Sequence, residues 1–82
     1  MAFVDLWLTT AADSLAREAG VPRELLELDD DAARTLLALA ATAAHDSGAR
    51  TNAPLLCYLA GLCAGRSGKG LEELAAAVDG AG

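Results

Sequence analysis

Hydrophobic positions recur every three or four residues over the first part of the chain, which is the spacing of an amphipathic helix. The pattern predicts a first helix from Phe3 to Ala19, with these apolar positions on one side: Val4, Leu8, Ala11, Leu15 and Ala19. Gly20 ends it, because glycine adopts a left-handed conformation freely, and Pro22 cannot continue a helix. A short turn follows from Arg23 to Leu28, and its leucines Leu25 and Leu28 are expected to tuck under the longer helices.

The same spacing predicts a second helix that begins beside the acidic run Asp29–Asp31 and continues to about Ser47. Carboxylates at a helix start accept hydrogen bonds from free amides and interact favourably with the positive end of the helix dipole. Calcium loops need alternating ligands, a glycine and a distal glutamate, so a cap is favoured over a metal site. The predicted buried stripe consists of Leu36, Leu39, Ala40 and Ala43.

A third helix is predicted from a cap at Thr51 or Asn52 to Arg66, with Pro54 in its first turn. It is apolar on nearly all sides, which is typical of a helix at the centre of a fold. Small residues recur every four positions along it and should let another helix approach closely: Ala53, Cys57, Gly61 and Gly65. A short closing helix is predicted over Leu71–Val78.

Composition supports helices throughout. Alanine and leucine dominate, and the only aromatic residues are Phe3, Trp7 and Tyr58, so a sheet would lack suitable residues. We therefore expect an all-α fold, a compact bundle of four to five helices. Eighty-two residues suffice for one domain, which we place at residues 1–79, with residues 80–82 as a frayed end.

Net charge and hydropathy argue against nucleic-acid binding and against a membrane-spanning helix. The net charge is −6 and the six cations are scattered, which argues against a nucleic-acid partner. The longest apolar run, Ala53–Gly65, is well short of the roughly 20 residues that cross a bilayer. The N-terminal residues carry no basic leader, so we expect a cytoplasmic protein without membrane contact. Cys57 and Cys63 are expected to be free, largely buried thiols.

The predicted link between the second and third helices holds the most interesting polar cluster. Free amides at a helix start favour phosphate or carboxylate, and a guanidinium binds either one with two hydrogen bonds. The sequence thus predicts an anion or partner site made of His45, Arg50, Thr51, Asn52 and Pro54. In the alternative interpretation, His45 complements the negative end of the second helix and Arg50 pairs with Asp46.

Two further interpretations concern chemistry at Ser14 and at the two cysteines. The tripeptide Asp13-Ser14-Leu15 in an acidic helical chain resembles that of acyl and peptidyl carrier proteins, in which Ser14 would carry phosphopantetheine. Carriers place this serine at the start of their second helix, whereas Ser14 is predicted in the middle of the first. Catalysis or a zinc site would have to combine His45 with Cys57 or Cys63. We expect no enzyme activity, because both thiols belong to the most hydrophobic helix, and no metal, because the two sulfurs point to different sides of that helix. No cofactor is expected either.

A family resemblance rests on the segment Leu36–His45, on Arg50, on the helix start Ala53-Pro54-Leu55 and on Leu59–Arg66. Together with Asp5-Leu6-Trp7-Leu8, these motifs resemble a small actinobacterial domain of unknown function. That domain occurs alone or fused behind a molybdenum cofactor guanylyltransferase domain. The resemblance implies a non-catalytic accessory role near the step that joins GMP to molybdopterin, with the guanylyltransferase or another molybdopterin-handling protein as partner. A structural module that forms homodimers through Cys57, Gly61 and Gly65 is the third hypothesis.

Overall fold

A computed structural model describes residues 3–81. These residues contain no strand, and they form four α-helices and a short 3-10 helix at Arg23–Leu26. The predicted all-α fold class is confirmed, and the number of helices agrees with the prediction. The chain divides between Ala33 and Arg34 into two compact units. The α-helices are α1 (Leu6–Ala19), α2 (Asp30–Ser47), α3 (Asn52–Ser67) and α4 (Leu71–Ala81).

Helix α1 begins later than predicted because Asp5 caps it. The Asp5 carboxylate accepts a hydrogen bond from the Leu8 amide at 3.0 Å, so residues before it lie outside the helix. The predicted end is confirmed: Gly20 has a φ of 70° and donates its amide to the Ala16 carbonyl. The 3-10 helix packs against α1 and is tied to it by Arg23, whose Nε lies 2.7 Å from Asp13 Oδ1.

The prediction that Leu25 tucks under longer helices is wrong. Leu25 is 71% exposed, whereas Leu26 and Leu28 are half-buried. A 3-10 helix has three residues per turn, so neighbouring leucines point in different directions and only some of them can face α1.

Helix α2 agrees closely with its prediction. The Asp29 carboxylate accepts the Ala32 amide at 2.7 Å, which confirms an acidic cap at this end. Leu39 and Ala43 are buried and Leu36 and Ala40 are half-buried, so the predicted stripe is confirmed. Gly48 follows the helix with a φ of 74°.

Helix α3 has the predicted bounds but not the predicted environment. Ala60 is buried, and five further residues of the helix are half-buried: Ala53, Leu56, Cys57, Leu62 and Ala64. Leu55, Tyr58 and Leu59, by contrast, are exposed. The prediction of a central helix, buried all round, is therefore wrong. The prediction that another helix of the same chain approaches closely at Gly61 and Gly65 is also wrong, because a Cβ built on either glycine meets nothing within 4 Å.

Helix α4 packs against α3 and turns Leu71, Leu74, Ala75 and Val78 to its half-buried side, as predicted. It continues beyond the predicted end at Val78 to Ala81. Gly82 lies outside the described residues, and fraying of residues 80–82 stays a prediction. None of the helices in the described range is both long enough and apolar enough to cross a bilayer.

Candidate functional site

The predicted site lies at the junction between α2 and α3, which residues 48–51 form. Gly48 turns the chain with its positive φ and donates its amide to the Ala44 carbonyl at 3.0 Å. The turn is then closed by two hydrogen bonds, from the Asn52 amide to the Ala49 carbonyl at 3.0 Å and from the Ala53 amide to the Arg50 carbonyl at 3.1 Å. The junction is therefore a defined tight turn between two helices.

Ser47 organises this turn, and the sequence reasoning missed it. Its hydroxyl donates to the Ala43 carbonyl at 2.6 Å and accepts the Ala49 amide at 3.2 Å and the Asn52 side-chain amide at 3.0 Å. A serine hydroxyl offers one donor and two acceptor positions, so all three are used here. The available signal was a serine at the last helical position, directly before a glycine and five residues before an asparagine.

His45 and Arg50 lie near each other in sequence at this junction but share no hydrogen-bond partner. The His45 side chain is 91% exposed, and its Nδ1 lies 3.2 Å from Asp46 Oδ1. Arg50 is exposed, and its guanidinium makes neither a hydrogen bond nor an ion pair with any other residue in the range 3–81. The alternative pairing of Arg50 with Asp46 is thus absent from this structure, and Asp46 contacts His45 instead.

The amides at the start of α3 are largely engaged. Asn52 and Ala53 donate to carbonyls of the turn, and Pro54 has no amide hydrogen. Thr51 precedes the helix without a side-chain capping bond, so its hydroxyl and the guanidinium of the exposed Arg50 are both open to solvent. An anion at this junction would be held by side chains rather than by the helix amides. Anion binding stays a prediction.

The phosphopantetheine and thiol interpretations concern three residues outside the junction: Ser14, Cys57 and Cys63. Ser14 is exposed in the middle of α1, as predicted, and its Oγ lies 3.4 Å from an Arg17 guanidinium nitrogen. The Cys57 thiol is half-buried and lies 3.6 Å from the Leu36 carbonyl oxygen. Cys63 is exposed, so the prediction that it is largely buried is wrong. Within the part of the chain that the structure describes, no group of three or more His, Cys, Asp or Glu residues could hold a metal ion.

The exposed side of α3 carries several large apolar side chains and begins beside the junction. Leu55, Tyr58 and Leu59 follow the spacing i, i+3 and i+4, so their side chains form one continuous row along the helix. We call this row the α3 row. It begins one position after Pro54, and the site residues Arg50, Thr51 and Asn52 directly precede it along the chain.

Comparison with known protein families identifies the family of the chain. A family model described as a domain of unknown function (DUF6457) matches residues 1–82, so the chain belongs to this family. No curated protein and no solved structure matches the chain.

Proposed function

We propose that this chain is a non-catalytic interaction domain of the cytoplasm, associated with the biosynthesis of the molybdenum cofactor. The observation that carries an interaction role is the α3 row. Single exposed apolar side chains are common on protein surfaces, whereas a continuous group of large ones is typical of a binding surface. Leu55, Tyr58 and Leu59 form such a group on one helix, while the same helix turns its alanines inward.

The proposed partner is a molybdenum cofactor guanylyltransferase or another protein that handles molybdopterin. This choice rests on the resemblance of Leu36–His45, Arg50, Ala53-Pro54-Leu55 and Leu59–Arg66 to the actinobacterial domain that occurs fused behind such enzymes. Origin in an actinobacterium is part of the same proposal. The exposed junction residues adjoin the α3 row along the chain, so we assign both to one partner-binding region.

An amide spectrum of the ¹⁵N-labelled chain tests the proposal. We expect an isolated molybdenum cofactor guanylyltransferase domain to shift the amide signals of the junction and of α3. The Arg50→Ala chain should bind more weakly, because it lacks the unpaired guanidinium. Leu37→Ala serves as the control, since Leu37 is also exposed in the same unit but lies on α2.

The outcomes separate the ligand classes. No shift with the guanylyltransferase domain at saturating concentration would remove that partner. Shifts with GTP or a molybdopterin species alone, lost in Arg50→Ala, would assign a small-anion site to the junction instead. Binding unaffected by Arg50→Ala would exclude a role for Arg50.

Homodimerisation is a second candidate, and the open space beside Gly61 and Gly65 favours it. Glycines on a helix surface let a second helix come close. Gly61→Leu would block that approach while meeting no atom of its own chain near its Cβ. Sedimentation equilibrium should show a dimer that this substitution dissociates, and a monomer for the unsubstituted chain would remove the candidate.

A further inference from the structure

The charges of this chain are unevenly distributed around α3. All 12 acidic residues lie outside residues 47–71, whereas this segment contains Arg50, Arg66 and Lys69. Lys69 is paired, since its Nζ lies 3.2 Å from Glu73 Oε2. The guanidinium groups of Arg50 and Arg66 make no ion pair with any residue in the described range. Residues 47–71 are thus a locally cationic segment of the acidic chain, and two of its charges are unpaired.

Arg66 lies on the same side of α3 as the apolar row. At about 100° per residue, Arg66 is displaced by only about 20° around the helix from Leu55, and Leu59 by about 40°. Ala60, which is buried, lies about 140° away. The α3 row therefore leads to an exposed arginine at its C-terminal end, and Arg50 precedes it at the N-terminal end. We call the row and these two arginines the α3 surface.

We propose that the α3 surface docks an amphipathic helix of a partner protein whose apolar stripe has carboxylates at both ends. This inference rests on the proposed interaction function and names the chemistry of its partner. Amphipathic helices bind through apolar side chains at spacings such as i, i+3 and i+4, which is also the spacing of the exposed Leu55, Tyr58 and Leu59. Carboxylates beyond the two ends of the stripe would meet Arg50 and Arg66. Arginine binds carboxylates through bidentate hydrogen bonds.

Charge also argues against an anionic lipid surface as the occupant. Segments that bind anionic lipids usually cluster about four to eight cations, whereas the α3 surface has two. The chain as a whole carries −6 and would be repelled by such a surface. A short acidic partner segment that contacts only residues 47–71 would meet the unpaired Arg50 and Arg66. It would meet no acidic residue of that range, because the range contains none.

Two synthetic helical peptides of the length of α3 test this inference. Both carry the same leucine stripe and a fluorescent label, and they differ only in having two glutamates or two lysines at each end. Because the whole chain is negative, its overall charge favours the lysine peptide. The α3 surface favours the glutamate peptide, which we expect to bind about tenfold more tightly in fluorescence anisotropy. Added salt should reduce this preference.

Matched variants locate the binding. Arg66→Glu should reverse the preference between the peptides, whereas Arg17→Glu, the same charge change on α1, should leave the glutamate peptide preferred. Leu59→Glu should abolish binding of the glutamate peptide. Leu37 lies on α2 and is 55% exposed, so the Leu37→Glu chain should still bind the glutamate peptide.

Several results would overturn the inference. These are a preference for the lysine peptide, equal effects of Arg66→Glu and Arg17→Glu, or binding to phosphatidylserine vesicles that Leu59→Glu abolishes. A dimer of the chain alone that Leu59→Glu dissociates would assign the surface to a second copy.

If the peptides behave as expected but the guanylyltransferase domain does not bind, only the molybdenum cofactor partner fails. If that domain binds and the peptides show no preference, only the present inference fails.

Discussion

The orientation of α3 can be tested by truncating two leucines of one structural unit, Leu39 in α2 and Leu59 in α3. Both belong to predicted helices and have the same hydrophobicity, so sequence alone gives no reason for different effects. In the structure, Leu39 is 3% exposed and Leu59 is 59% exposed. Leu39→Ala and Leu59→Ala should therefore differ strongly in their free energy of unfolding.

The expected size follows from burial. Leu39→Ala removes a buried side chain and leaves a cavity, at a cost of about 2–5 kcal/mol. A chain of this length has a total stability of roughly 4–12 kcal/mol, so the loss is a large part of it. At about 4–8 °C per kcal/mol, the Tm should fall by at least about 8 °C. Leu59 still contacts water over most of its surface, and its truncation leaves no cavity, so Leu59→Ala should cost at most about 0.5–1 kcal/mol.

Urea unfolding followed by circular dichroism measures both values. The slope against urea should be similar for the two variants, because the surface exposed on unfolding hardly changes, and only the midpoint should move. If Leu59→Ala destabilises the chain as much as Leu39→Ala, Leu59 is buried and α3 is turned differently from the structure. That result would remove the α3 surface and both proposals that depend on it.

Further predictions concern caps, turns and modification. Asp29→Ala removes the acceptor of the Ala32 amide and should lower the free energy of unfolding by about 0.5–2 kcal/mol in the same urea assay. Gly48→Ala places a Cβ at a φ of 74° and should cost about 1–2 kcal/mol, whereas Gly61→Ala, in the interior of α3, should not destabilise. A phosphopantetheinyl transferase should add no mass to the chain, because Ser14 lies in the middle of α1; a gain that Ser14→Ala abolishes would contradict this.

The helix ends were largely predictable because they depend on local chemistry. Gly20 and Gly48 adopt the positive φ that ends a helix without strain, and Asp29 supplies the capping carboxylate that the acidic run indicated. The early start predicted for α1 failed for a related reason. Asp5 interrupts an apolar stretch and was placed inside the helix, although a carboxylate there can equally cap the amides that follow.

The side on which α3 is buried could not be predicted from periodicity. A helix with apolar residues on nearly all sides has no polar stripe to mark its exposed face, so its orientation depends on side-chain volume in the packed structure. The pattern also indicated the small-residue track as a close contact, yet its two glycines are open and its other two members, Ala53 and Cys57, lie on the inward side. Spacing alone did not distinguish these neighbouring sides.

The junction was predictable as a place but not in its hydrogen bonding. The sequence placed His45, Arg50 and the start of α3 together, because a short link joins two helix ends. It could not show that the Asn52 and Ala53 amides bond to the turn or that Ser47 holds the loop, since these depend on the backbone path through Gly48. That path changes the anion hypothesis from one based on amides to one based on the side chains of Arg50 and Thr51.

The inward position of Ala60 and the exposure of Leu55 and Leu59 also bear on how a partner would act. Turning α3 by half a turn would bury Leu55 and Leu59, but larger side chains in the space that Ala60 occupies would overpack the contact at a cost of about 1–3 kcal/mol. The apolar area of the α3 row is then buried only when a partner covers it. A ligand that binds the folded chain at 100 times its Kd stabilises it by about 2.7 kcal/mol. The glutamate peptide should thus raise the Tm of the unsubstituted chain and leave that of Leu59→Glu unchanged, which links the binding test directly to the packing of α3.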